Sequence, residues 1–140
     1  MQKTSSKAQV ALEYMSIVGF ALLILGGVVV FAYNYTLAAR ETSNVAAAST
    51  AVNNIVESAN LVYAQGYPAK VTIIVNVPQN VDNITVSGKV IKMRINVKGG
   101  ITEIAGTART NLTGSLPASP GYYKVQIQSL GDTVNVSQIT

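Results

Sequence analysis

Lys7-Ala8-Gln9-Val10-Ala11-Leu12-Glu13-Tyr14 introduces an uncharged run from residue 14 to residue 39, closed by Arg40. The run has an apolar core from about Ile17 to Ala32, with aromatic and polar flanks, which is long enough for a membrane-spanning helix. At its mouth stands one carboxylate, Glu13. Burying an acid in hydrocarbon costs about 2.5–3.5 kcal/mol even on the lenient insertion scale, so a plain anchor avoids one there. A secretory signal has a shorter apolar core, with a small-residue cleavage site behind it. This core is longer and no convincing cut follows it, so the helix is expected to be retained.

Helical character continues beyond Arg40. Val45, Ala48, Val52, Ile55, Ala59 and Val62 alternate spacings of three and four, which draws one narrow apolar stripe along a helix. Gln65-Gly66-Tyr67-Pro68 supplies the stop, because Gly suits the left-handed cap and Pro cannot continue the helix. The chain thus reads as a helix over 9–65, with an apolar half at 14–39 and an amphipathic half at 40–65. Gly19, Gly26 and Gly27 in the apolar half would allow close helix approach, or Gly26-Gly27 would give a flexible point, and the pattern alone leaves both open.

From Lys70 the apolar period becomes two. Val71, Ile73, Val75 and Val77 share a face, and Pro78 ends the strand. Ile84 and Val86 lead through Ser87-Gly88 to Ile91, Met93, Ile95 and Val97, a hairpin pattern with Gly99-Gly100 as the next turn. Ile101–Ala105 is a weaker strand. Tyr123, Val125 and Ile127 form another, and Leu130-Gly131-Asp132-Thr133 turns into Val134 and Val136. The fold class is therefore α+β: a long N-terminal α-helix, apolar in its first half, then a head over 66–140 formed by one small antiparallel β-sheet of about five to seven strands. So small a head needs the apolar edge of the second helical half laid against it. Ala105–Gly121, rich in Gly, Ser, Thr and Pro, reads as a long surface loop suited to display.

Composition narrows the function. The 140 residues hold no Cys and no His, which excludes disulfide scaffolds, thiolate metal sites and Cys or His nucleophile systems. The acids Glu13, Glu41, Glu57, Asp82, Glu103 and Asp132 are too scattered in sequence for a local carboxylate pair or metal loop. No phosphate-binding Gly loop occurs. The reading is of a non-enzyme without cofactor or metal. The net charge of +4 is ordinary and does not imply nucleic acid. Lys3 and Lys7 ahead of the apolar run place the N-terminus in the cytoplasm by the positive-inside rule.

The segment from Lys7 to Tyr14 resembles the class III signal peptide of archaeal type IV pilin-like proteins. In that family a short basic leader ends at a small residue, a membrane peptidase cuts before a Gln, and the apolar helix remains as the assembly domain. The resemblance covers about the first 35 residues. It implies a cleaved leader over 1–8, with the cut between Ala8 and Gln9 and Glu13 as the fifth mature residue. The family often has Ser where Ala11 stands and Gly where Ala8 stands, and both positions stay small here. The resemblance further implies a homo-oligomeric helical filament at the cell surface, typically serving adhesion, and reached through the cytoplasmic membrane. Prepilin peptidase, an assembly ATPase and a membrane platform are the implied partners.

Charge chemistry gives Glu13 a role in that frame. Cleavage would create an α-amino group on Gln9, and a staggered neighbour could bring its carboxylate onto that cation within an apolar bundle. A paired buried charge is tolerated and fixes register, whereas an unpaired one is expensive. The alternative is an interfacial Glu reaching lipid headgroups in a monomeric, membrane-anchored surface domain. A minor pilin or pseudopilin is a third reading.

Surface candidates follow. Four Asn-x-Ser/Thr sequons begin at Asn34, Asn83, Asn111 and Asn135. Asn111, in the expected loop, is the strongest glycosylation candidate, then Asn83 and Asn135, whereas Asn34 near the membrane exit is expected to stay unmodified. Lys92, Arg94 and Lys98 read as a solvated basic strand face, without the interleaved aromatics that base stacking needs. Tyr122 and Tyr123 point to opposite faces, one to the core and one outward, where sugar stacking is a further use for the exposed ring.

Overall fold

A computed structural model describes the backbone of Gln2–Thr140, with side chains from Ser6 onward. Met1 and the side chain of Lys3, parts of the expected leader, lie outside the described residues. The fold is α+β, with one helix, α1 (Gln2–Gln65), followed by seven strands. No proline occurs before Pro68, so nothing removes a backbone donor along α1. Helix starts at Gln2 rather than Gln9, because the residues around Ala8 contain no breaker. Its end is the expected one. Gly66 takes a positive φ of 79°, and its N–H donates to the Val62 and Tyr63 carbonyls at 3.1 and 3.2 Å.

The chain divides into two compact units, Met1–Arg40 and Glu41–Thr140. The first is the apolar part of α1 and is described with the candidate sites. The second holds the remainder of α1 and the strands β1 (Lys70–Val77), β2 (Val81–Ser87), β3 (Val90–Val97), β4 (Gly100–Thr107), β5 (Asn111–Ser115), β6 (Gly121–Ser129) and β7 (Thr133–Ile139). They form a four-stranded sheet in the order β1-β6-β7-β5 and a three-stranded sheet in the order β2-β3-β4.

One core joins helix and sheets. Val52, Ile55, Ala59 and Val62 from α1 are fully buried with Ile91, Met93 and Ile95 of β3, Val125 and Ile127 of β6, and Val134 and Val136 of β7. The period of two in each strand and of about 3.5 in the helix produces this convergence, since each element has a single apolar side to hide. Two hydrogen bonds fasten α1 beside β4. The Lys98 N–H donates to Glu41 Oε1 at 3.0 Å, and the Arg109 N–H donates to Asn60 Oδ1 at 2.8 Å. Gly106 of β4 faces the helix between them. A Cβ there would lie 2.6 Å from Val52 Cγ1 and 2.8 Å from Val56 Cγ2.

Three expectations need correction. The head contains two sheets rather than one, and β5 pairs with β7 in parallel, not antiparallel, fashion. The segment 105–121 is not a free loop. Its beginning belongs to β4, Asn111–Ser115 is β5, and Ala108, Thr110 and Leu112 are buried. Thr110 Oγ1 donates to the Asp132 carbonyl at 2.7 Å, which ties this segment to the β6–β7 turn. The turn after β3 is Lys98-Gly99 rather than Gly99-Gly100, because Gly100 already pairs with Val97.

Candidate assembly helix and surface sites

From Val10 to Tyr35 every large apolar side chain is exposed, from 40 % at Val18 to 75 % at Leu23. The helix that contains them is long and apolar enough to cross a membrane. Two of its hydroxyls bond locally: Ser16 and Thr36 donate to the Leu12 and Ala32 carbonyls, each at 2.8 Å. What this segment lacks is cover for its apolar surface. An exposed apolar surface this continuous marks contact with lipid or protein.

Aromatic residues bracket the stretch. Tyr14 opens its uncharged part, and Phe31, Tyr33 and Tyr35 close it, with the Phe31 and Tyr35 rings stacked at 6.5 Å between centroids. The rise from Tyr14 to Tyr33 is about 29 Å at 1.5 Å per residue, close to the thickness of a bilayer's hydrocarbon core. Rings at both margins are what interfacial belts require.

Gln9 and Glu13 are exposed and lie four residues apart on α1, so they share a helix face. Among the described residues no cation lies within ion-pair distance of Glu13, and the ion pairs present are those of Glu103. Ala8 is exposed and helical. Gly19, Gly26 and Gly27 have open space where a Cβ would stand.

The sequons fall in different settings. Asn83 is exposed on β2, an edge strand, and its Nδ2 donates to Thr85 Oγ1 at 3.3 Å, joining the two polar residues of its own sequon. Asn111 is exposed, but as the first residue of β5 rather than on a free loop. Asn135 is half-buried in β7, between β6 and β5, with its Oδ1 over Gly114. Asn34 is exposed on α1 within the first unit.

Lys92 and Arg94 lie exposed on β3 as expected, while Lys98 sits in the following turn. Sequence reasoning missed their partner. Glu103 stands opposite Arg94 across the β3–β4 pair, with Lys92 Nζ at 2.9 Å from Oε1 and Arg94 Nε at 3.4 Å from Oε2. The Lys92 hydrogen bond and charge, reinforced by Arg94, hold the Glu103 carboxyl below its ordinary range. A correctly placed β3–β4 turn was the signal that could have revealed the triad. Tyr123 packs against the core and Tyr122 is 77 % exposed. Among the described residues no group of acids could hold a metal ion. No family model, no curated protein and no solved structure matches this chain.

Proposed function

We propose that the chain is a structural subunit of an extracellular archaeal type IV pilus-like filament that serves surface adhesion. The observation that carries this reading is the bare apolar segment Val10–Tyr35, on the same helix whose later turns core the head. Lipid covers that segment before assembly, and the same segment of neighbouring subunits covers it afterwards. Its Gly positions leave room for close approach. Glu13, the one charge between Lys7 and Arg40, sets the stagger by meeting the α-amino group that cleavage before Gln9 exposes. The precursor spans the cytoplasmic membrane with its N-terminus inside. Peptidase, assembly ATPase and platform are partners, and Asn83 and Asn111 are the sequons best exposed for glycosylation.

The test is the N-terminal residue of the native protein, read by mass spectrometry on membrane and sheared extracellular fractions. A chain starting at Gln9 in the sheared fraction is expected. A membrane-bound chain retaining Lys7 would instead make this a monomeric anchored surface domain. The aromatic margins suit that second reading equally, because both need one membrane crossing. Glu13→Gln is expected to be processed normally yet to give few filaments, and normal filament yield would remove the register role.

A further inference from the structure

The outer face of the four-stranded sheet differs from that of its neighbour. On the three-stranded sheet the exposed cations Lys92 and Arg94 share Glu103. On the four-stranded sheet Lys70 and Lys124 are exposed, among the described residues no acidic side chain stands on the strands of that face, and Asp132 sits in the β6–β7 turn at its end. Pairing register places Lys70 opposite Gln128, Thr72 opposite Gln126 and Ile74 opposite Lys124. The two lysines are therefore separated by about 14 Å along the strands at 3.4 Å per residue, with amide and hydroxyl side chains between them. Beyond Lys124 on the same face of β6 stands Tyr122.

We propose that this face binds a linear anionic polysaccharide, a uronate-bearing chain lying along β6. Gln126, Gln128 and Thr72 each donate and accept, which suits sugar hydroxyls better than a uniform charge would. The lysines meet carboxylates, and the Tyr122 ring offers a flat apolar surface to one sugar face. A span of a few sugar rings fits between them. The charge pattern argues against a second copy of this chain as occupant. Residues 41–140 carry seven cations and five acids, so two heads share a net positive charge that opposes their association. Nucleic acid is disfavoured because, among the described residues, Tyr122 is the one exposed ring on the strands of this face. The inference names the ligand class for the adhesion proposed above, and rests on that reading only in requiring the head to face the cell exterior.

The test uses the full chain in a polyoxyethylene detergent, which carries no sugar, and measures its retention on immobilised polygalacturonate, dextran and polyglutamate at physiological salt. Retention is expected on polygalacturonate, with binding to dextran and polyglutamate about tenfold weaker. Combined Lys70→Gln and Lys124→Gln should lower polygalacturonate affinity about tenfold, and Tyr122→Ala several-fold. Lys92→Gln should change nothing, and circular dichroism should show each variant folded. Equal retention on polyglutamate would reduce the effect to ion exchange and overturn the proposal. So would unchanged affinity in both the lysine and tyrosine variants, or absence of retention. Slower self-association of these variants in sedimentation, with no loss of sugar binding, would assign the face to a second copy instead. Because the assay uses unassembled chains, its failure leaves the N-terminal sequencing result, and thus the filament reading, intact.

Discussion

Within α1, Val52, Ile55, Ala59 and Val62 are 0 % exposed, whereas Ile17, Phe20, Leu23 and Phe31 are each at least 67 % exposed. Similar residue types occupy both segments, so propensity does not separate them. The difference lies in what covers them. In the later segment polar Asn, Ser, Thr and Glu leave one apolar edge, and the sheets of the same chain take it up. In the earlier segment apolar side chains surround the axis, and among the described residues they are exposed. The carboxylates repeat the contrast. Glu103 finds Lys92 and Arg94 across a strand pair, while Glu13 has no cation among the described residues. One region buries its apolar edge within the chain, and the other leaves its apolar side chains exposed.

The sharpest way to break this contrast is a matched pair of truncations. Ile55→Ala should destabilise the head by about 2–5 kcal/mol, a large part of a domain's typical 5–15 kcal/mol. Leu23→Ala should leave head unfolding unchanged and lower filament yield. Urea unfolding of the full chain in detergent, followed by circular dichroism and by hydrogen exchange at β3 amides, separates the two. An equal loss of head stability from Leu23→Ala would mean that the earlier segment also supports the head.

Gly106→Ala comes next. The added methyl meets Val52 and Val56, whose branched side chains are short and stiff, so helix or strand must shift. Overpacking of this kind costs about 1–3 kcal/mol, and Val52→Ala in the same chain should recover part of it by making room. No recovery would show that the helix does not limit the space at β4.

How much of this was legible beforehand follows from the range of each signal. The helix stripe, the Gly66 stop and the strands carrying Val75, Ile91, Val125 and Val136 are local periodicities, and they were readable. Strand β5 was not. Asn111-Leu112-Thr113-Gly114-Ser115 offers a single large apolar residue, and its parallel pairing with β7 depends on tertiary context. Gly114 shows why a loop-like residue belongs there: φ is +112°, and a Cβ would overlap the Val136 carbonyl. Division of the strands into two sheets was hidden for the same reason, since no local pattern says which edges meet. The apolar run and Glu13 were plain in the sequence, but the outer-face array depends on register between β1 and β6.

The smallest effect concerns the satisfied carboxylate and sharpens the contrast with Glu13. Because its cations lower the folded-state value, Glu103 contributes stability that is fully present above the unfolded Glu value, about 4.3. That contribution is lost as pH falls through the lower folded value, where the carboxylate takes up a proton in both states. Glu103→Gln should therefore be slightly less stable than the parent near neutrality, and the two should converge as pH falls below the ordinary Glu range. Both partners lie at the surface, so added salt should shrink the difference at neutral pH as well. Unfolding midpoints of parent and variant across that range, at low and high salt, give the check. A gap that persists in acid would mean that Glu103 acts through packing rather than charge, and the self-paired carboxylate would no longer stand opposite Glu13.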